Sequence, residues 1–99
     1  MKLLSVDQIM KLKVGDMVAY KERSGELAHF LYRAKVIGIY PLFILLSFAA
    51  TRNPLKDYND CDRFFNTCYS YADAHISFPG AVLFDYNSIS DDFYNFGEL

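Results

Sequence analysis

The sequence has no tryptophan, only two cysteines and only three prolines in 99 residues. Two cysteines are too few for a disulfide-stapled scaffold of this length. The longest apolar stretch runs from Val36 to Ala50 and is interrupted by Pro41, whereas a membrane-spanning helix needs about 20 apolar residues. The amino terminus has one early lysine and no long apolar core, which is atypical of a signal peptide. These absences predict a cytoplasmic protein with no membrane association.

Catalytic motifs are also missing, since the sequence contains neither a nucleophile elbow nor a glycine-rich loop. Cys61, Cys68 and His75 recur at seven-residue intervals, with His29 as a candidate fourth ligand. Structural zinc sites usually take two ligands from one tight knuckle, which this spacing does not form. A thiolate paired with histidine and Asp73 would have the residue types for nucleophilic catalysis but no supporting sequence context. We therefore expect a non-enzymatic protein without metal or cofactor.

Apolar and aromatic residues are abundant, at 53% and 17% of the chain. That is enough to pack one core in a chain of single-domain length. Residues 1–49 carry seven Lys or Arg and four Asp or Glu, a net charge of +3, whereas residues 50–99 carry three and eight, a net charge of −5. The chain lacks the basic excess of a dedicated nucleic-acid binder, and its acidic half predicts a basic partner.

Three consecutive stretches in the first half predict β-strands. Asp16–Lys21 and Phe30–Ile37 alternate between apolar and polar residues, as strands with one wet face do. Leu42–Phe48 is apolar on both faces, which is typical of a central strand. Gly25 has the freedom to take positive φ in the first turn, and Gly38 predicts a bulge where the sheet bends.

The amino terminus is predicted to be a short helix. Ser5 and Gln8 have the spacing of a capping box, and the apolar residues that follow lie on one face over residues 6–12. A helix this short is not stable alone, so we expect it to cover one end of the β-structure.

The second half leaves two interpretations open. Residues 50–62 are polar and predict an irregular loop. We favour a strand over Phe64–Tyr69, followed by a short turn that Ser70 caps. A helix reaching from Leu55 to about Cys68 is the alternative, because apolar residues there also recur at helical spacing. The last strand is predicted over Ala81–Tyr86.

The segments LKVGDMVAY, RAKVIGIYPLFILLSF and FNTCYSYADA follow one another in an order that resembles small SH3-like β-barrel proteins carried by phages and mobile elements of Gram-positive bacteria. The resemblance covers about residues 12–86 and brings no site residues with it. It implies a mainly β fold, a five-stranded SH3-like small barrel, in the cytoplasm of a bacterial host. The domain would span residues 1–86, with residues 87–99 as an acidic and aromatic tail.

The chain departs from a minimal barrel in the 50–62 loop and in this tail, where we expect the specific function. Exposed carboxylates with aromatic rings between them can imitate a nucleic-acid backbone with stacked bases, and fit a groove of Arg and Lys. The alternative is that the aromatic residues fold back onto the barrel. The candidate partner-binding residues are Asp57, Asp60, Asp62, Asp85, Asp91, Asp92, Phe93, Tyr94 and Phe96.

These features predict a protein-binding module. Its partner would be a host protein with a basic, nucleic-acid-binding surface, and the module would act as an inhibitor of the anti-CRISPR type. A barrel that binds nucleic acid itself is the alternative, with stacking by tyrosines on the sheet. An assembly role comes third, and a monomer or small homo-oligomer is expected. The basic residues that the nucleic-acid alternative would use are Lys11, Lys13, Lys21, Arg23, Arg33 and Lys35.

Overall fold

The computed structural model describes residues 2–25, 31–51 and 56–89. It is mainly β, with one short helix, which confirms the predicted fold class. The helix and strands are α1 (Val6–Met10), β1 (Met17–Glu22), β2 (Tyr32–Ile39), β3 (Phe43–Ala49), β4 (Phe64–Ser70) and β5 (Ala81–Asp85). Within the described residues, 3-10 turns lie at Tyr58–Asp60, Tyr71–His75 and Tyr86–Ser88. Within the described ranges, no helix is both long and apolar enough to cross a membrane.

The five strands form one antiparallel sheet in the order β4-β3-β2-β1-β5. A flat sheet of this width would hold its edge strands about 19 Å apart, at about 4.8 Å per strand. Tyr69 of β4 and Leu83 of β5 nevertheless line one cavity together with Ile9 of the helix. The sheet is therefore strongly bent. In the described residues β4 and β5 do not pair with each other, so the predicted closure into a barrel is not shown.

The main core lies on the inner face of this bend, and every strand contributes to it. Alternate residues of β1, β2 and β3 point inward, as the alternation in β2 predicted, and the largest fully buried side chains include Ile44, Leu46, Val36 and Leu83. A smaller cluster of Ala19, Leu31 and Phe84 lies on the outer face, with Val82 and Ile89 packed against it. Both faces of the sheet thus bury apolar side chains.

The amino-terminal helix closes one end of the inner core. The predicted capping box is confirmed: Ser5 Oγ accepts from the Gln8 N–H at 3.1 Å, and Gln8 Oε1 accepts from the Ser5 N–H at 2.8 Å. The helix ends at Met10, earlier than predicted. Ile9 is only 3% exposed and belongs to the core cluster, and the helix also contacts the 3-10 turn Tyr71–His75.

Two glycine predictions are confirmed. Gly25 has φ of +93°, a backbone conformation that favours glycine. The register of the β2–β3 pair shifts between Val36 and Gly38, which is the predicted bulge. A Cβ atom on Gly38 would lie 2.7 Å from Cε2 of Tyr40, so the Tyr40 ring covers the bulge closely.

The second half of the chain folds as the favoured interpretation predicted. Phe64–Ser70 is a strand, and each of its residues pairs with β3, so the alternative of a helix over 55–68 is wrong. Tertiary pairing with an apolar neighbouring strand outweighs the helical spacing of a few apolar residues. Ser70 Oγ accepts from the Ala72 N–H at 3.2 Å, which confirms the predicted cap of the next turn.

Replacing Ile9 with alanine tests the role of the helix. Because Ile9 is buried in the core, Ile9→Ala should lower the free energy of unfolding by about 3 kcal/mol through lost apolar burial and a residual cavity. Val14 is 64% exposed, so Val14→Ala should change it by less than about 0.5 kcal/mol. Urea denaturation followed by circular dichroism measures both. Equal effects of the two substitutions would mean that the helix does not close the core.

Candidate functional site

The acidic loop, residues 57–62, is anchored on the outer face of the sheet by Tyr58. This side chain is 8% exposed. Its hydroxyl donates to Ser47 Oγ of β3 at 3.1 Å, and both partners are buried. Its ring lies 4.8 Å from the Phe64 ring of β4, and Lys35 Nζ of β2 lies 5.8 Å from its centroid. The loop that the sequence predicted as irregular is therefore held against three neighbouring strands.

Asp57 ties this loop to the segment that follows β5. Its Oδ1 accepts from the Tyr58 N–H at 2.8 Å, which caps the 3-10 turn, and it also accepts a hydrogen bond from the Tyr86 hydroxyl. These bonds, the one from Tyr86 first, hold the pKa of the Asp57 carboxyl below its usual value. Burial, followed by the bond to Asp57, raises the pKa of Tyr86. The pair joins two segments 29 positions apart in the chain.

The predicted partner-binding acids differ in their structural roles and in their exposure. Asp57 and Asp85 each cap a 3-10 turn, Asp85 by accepting from the Asn87 N–H at 3.2 Å. Asp60 and Asp62 lie on the acidic loop with exposed side chains, so the structure places three of the predicted acids on one loop that Tyr58 anchors to the sheet. The remaining predicted residues, Asp91, Asp92, Phe93, Tyr94 and Phe96, lie outside the described residues.

Two of the predicted basic residues lie beside this acidic loop on the outer face. Arg33 Cζ lies 4.9 Å from the centroid of the Tyr86 ring, and its charge contributes to the lowered pKa of Asp57. Lys35 lies over Tyr58. Arg33 and Lys35 are thus packed on aromatic rings next to a carboxylate, and do not form a separate basic surface.

A second site, the aromatic cavity, opens on the inner face between β1, β2, β3 and β4. Its volume is about 430 Å³, within the range of ligand-binding clefts. The Phe48 ring lies 4.9 Å from the Tyr32 ring, 5.8 Å from the Phe65 ring and 6.0 Å from the Tyr20 ring, by centroids. The described lining residues are Glu22, Tyr32, Phe48, Ala50, Thr51, Phe65, Asn66 and Thr67.

Glu22 is the one charged residue among the described residues that line this cavity. Tyr20 donates a hydrogen bond from its hydroxyl to Glu22 Oε1 at 2.6 Å. Burial, and then this bond, raise the pKa of Tyr20 far above its usual value. The hydroxyl therefore stays protonated at physiological pH and continues to orient the carboxylate.

The sequence analysis did not identify this cavity. A signal was present, because Tyr20, Tyr32, Phe48 and Phe65 are aromatic residues of predicted strands. What the pattern could not supply was the strand order that brings these four positions to the same end of the sheet.

The cysteine and histidine positions are separated in the described part of the chain. Cys61 is half-buried on the acidic loop and its thiol donates to the Asp57 carbonyl at 3.4 Å, while Cys68 is exposed on β4. No group of three or more His, Cys, Asp or Glu residues in the described ranges is arranged to hold a metal ion. His29 lies outside those ranges.

Comparisons with protein-family models, with curated proteins and with solved structures found no match to the chain. The geometry of the acidic loop and of the aromatic cavity is therefore the basis for a functional assignment.

The Tyr58–Ser47 hydrogen bond can be tested by a double-mutant cycle. Tyr58→Phe leaves the Ser47 hydroxyl buried without its donor, and Ser47→Ala leaves the Tyr58 hydroxyl without its acceptor. Each single substitution should lower the free energy of unfolding by about 1–2 kcal/mol. The double variant should lose less than the sum of the two, because no buried hydroxyl then remains unpaired. Strictly additive losses in urea denaturation would show that the two hydroxyls do not interact.

The lowered pKa of Asp57 predicts a pH dependence of stability. A carboxyl whose pKa is lower in the folded state stabilises the fold above its unfolded pKa, about 4 for aspartate, and loses that contribution as pH falls through the folded pKa. Asp57→Asn should therefore reduce the melting temperature at pH 7, with the difference from the unsubstituted protein shrinking below about pH 4.

The matched control is Asp60→Asn, which removes the same charge from the same loop but not the bond from Tyr86. Melting curves recorded from pH 2 to pH 8 compare the three proteins. A difference between Asp57→Asn and the unsubstituted protein that is constant over this range would contradict the assignment.

Proposed function

We propose that this protein is a non-enzymatic binding module that recognises a basic protein surface through its acidic loop. The observation that carries the proposal is the fixed position of the loop: buried Tyr58 anchors it, and Asp57 links it to Tyr86, while Asp60 and Asp62 remain exposed. Exposed carboxylates on a turn that is anchored to the sheet are the arrangement that a basic partner would recognise at low entropic cost.

Rigidity matters because binding requires that side chains and loops at an interface become ordered. A loop that is already ordered does not incur that cost again on association. The buried ring and hydroxyl of Tyr58 hold the turn from below, and the Tyr86 hydroxyl holds it from the side. Asp60 and Asp62 would thus meet a partner in the conformation they have in the free protein.

Charge supports the same conclusion. Residues 50–99 have a net charge of −5, and complementary charge across an interface raises association rates and excludes partners of the same sign. A basic surface used for nucleic acid is a natural complement to such a loop. We accordingly propose the narrower role as well, that of a mobile-element inhibitor in a bacterial cytoplasm that docks on a nucleic-acid-handling host protein.

The finer fold assignment belongs to this proposal. We infer an SH3-like barrel that is open between β4 and β5. The return of β5 to pair with β1 and the strong bend of the sheet support it. In such a barrel the acidic loop would be an addition to the outer face, consistent with a specialised binding element.

Direct binding of nucleic acid is the weaker candidate. Two of the six basic residues it would use, Arg33 and Lys35, pack on Tyr86 and Tyr58 next to Asp57. A carboxylate beside them weakens the attraction for a phosphate, and the aromatic contacts limit their reach.

Charge reversal on the loop tests the proposed function. The immobilised protein is incubated with bacterial lysate with and without nuclease treatment, the retained proteins are identified by mass spectrometry, and the affinity of the purified partner is then measured. Asp60→Lys with Asp62→Lys should weaken that affinity by at least about tenfold, mainly through slower association. Each single reversal should have an intermediate effect.

Asp7→Lys is the matched control, since it reverses one exposed charge on α1, away from the loop. It should change the affinity less than either single loop reversal. Asp91→Lys with Asp92→Lys reports on the predicted tail residues in the same assay. Equal partner binding by the loop variants and the control would refute the acidic-loop proposal, and retention that nuclease abolishes would favour the nucleic-acid alternative.

A further inference from the structure

We propose that the aromatic cavity binds the side chain of an arginine in an extended segment of a protein partner. The cavity opens on the inner face of the sheet, whereas the acidic loop packs on the outer face. The inference shares the basic partner of the proposed function but uses a different site, so the two can fail independently.

The aromatic rings of the cavity are suited to contact a cationic side chain. Phe48 and Tyr32 are each 6% exposed, and Phe65, at 55%, is exposed. A cationic group near the faces of such rings is attracted by their quadrupoles, more strongly where water is excluded. Because Phe48 contacts three other rings, the aromatic lining is a fixed structure and does not need to assemble around a ligand.

Glu22 adds a carboxylate to a lining that is otherwise uncharged among the described residues. Its Oε1 accepts the Tyr20 hydroxyl, which leaves Oε2 for another donor. A charge-assisted hydrogen bond to a carboxylate is stronger than a neutral one, and apolar surroundings strengthen the attraction between opposite charges. An apolar side chain in the cavity would leave this half-buried carboxylate without a cationic partner. A cation satisfies it.

Arginine fits this lining better than lysine. Its planar guanidinium can stack on an aromatic ring while it donates to a carboxylate, and it has five N–H donors where lysine has three. Thr67 lies in the same lining as Glu22 and offers a further oxygen acceptor. A compact ammonium group would satisfy the carboxylate but would not make the planar contact with the rings.

The position of β4 indicates that the arginine belongs to an extended segment. Phe65, Asn66 and Thr67 of β4 line the cavity, and β4 is an edge strand that pairs with β3 on one side within the described residues. An edge strand has alternate N–H and C=O groups available for a further strand. A peptide that adds to β4 would direct every second side chain toward the inner face and the cavity.

At the opposite edge of the sheet, strand β5 is bonded to the amino-terminal residues. Leu3 forms a bridge to Phe84 of β5, the Leu4 N–H donates to the Leu83 carbonyl at 3.0 Å, and the Asp85 N–H donates to the Lys2 carbonyl at 2.7 Å. The amino-terminal residues therefore occupy the edge of β5. Of the two edges, β4 is the one that lies next to a cavity with complementary charge for a basic segment.

Peptide titration followed by two-dimensional amide NMR tests the inference on the intact protein. The probe is the blocked peptide Thr-Val-Arg-Val-Thr, compared with peptides in which citrulline or lysine replaces arginine. Citrulline has nearly the same shape as arginine but no charge. The arginine peptide should shift the amide signals of Glu22 and residues 65–67, and should bind about tenfold more tightly than the citrulline peptide. The lysine peptide should bind with intermediate affinity.

Substitutions in the protein show which site is responsible for the preference for arginine. Glu22→Gln should remove the preference for arginine over citrulline, while Asp62→Asn, which removes one charge from the acidic loop, should leave that preference unchanged. A dispersed amide spectrum confirms that each variant is folded, and the citrulline comparison on the unsubstituted protein does not depend on any variant. Equal binding of all three peptides, or no binding at millimolar peptide, would overturn the inference. So would a preference that is lost with Asp62→Asn but kept with Glu22→Gln, which would assign the arginine to the acidic loop.

Discussion

The interior strands β2 and β3 have apolar side chains on both faces of the sheet, and both faces must be shielded from water. Most of the other elements of the fold contribute to this shielding. The bend of the sheet and helix α1 cover the inner face, where Val36, Ile44 and Leu46 are buried. The outer face buries Ser47 and Ala49 of β3, and here Tyr58 supplies the cover. The described residues form a single sheet of five strands with no second sheet to pack on, so the outer face must recruit a connecting segment.

This requirement explains why the acidic loop is ordered. Tyr58 brings both a ring and a hydroxyl to the outer face, and the hydroxyl is satisfied by Ser47. Once Tyr58 is in place, its neighbour Asp57 lies within reach of Tyr86, and Arg33 and Lys35 pack on the two tyrosine rings. The same packing that covers the sheet thus holds the side chains of Arg33 and Lys35 against the tyrosine rings. It leaves Asp60 and Asp62 exposed to solvent. Stability and the proposed recognition of a basic partner have a common structural origin.

Features of the fold that depend on neighbouring residues were easier to predict from the sequence than features that depend on distant residues. The capping box of Ser5 and Gln8 and the positive φ of Gly25 involve neighbouring residues, and both were predicted correctly. A strand over Phe64–Tyr69 was favoured over a helix, and the pairing of Phe64–Ser70 with β3 decides between them. The helix end at Met10 fell within the usual uncertainty of element boundaries.

The site was less predictable, because its interactions connect distant positions. Asp57 and Asp85 were chosen as partner contacts for their charge. A single sequence did not reveal that both cap turns, or that Asp57 is bonded to a tyrosine 29 positions away. The aromatic cavity needs Glu22, Phe48 and Phe65 from three strands. Glu22 lay beyond the predicted first strand, and no inward face was assigned to the predicted strands that hold Phe48 and Phe65. The strand order β4-β3-β2-β1-β5 brings the three residues together.

The two candidate sites suit different stages of one association. Exposed carboxylates such as Asp60 and Asp62 act at a distance and chiefly affect the rate of encounter, and salt screens them. A half-buried carboxylate among aromatic rings acts only at contact, where an inserted side chain is desolvated and its departure is slow. A basic partner with an extended arginine-bearing segment would therefore be attracted by the outer face and retained by the inner one. The acidic loop would set how fast such a partner arrives, and Glu22 with Phe48 would set how long it stays.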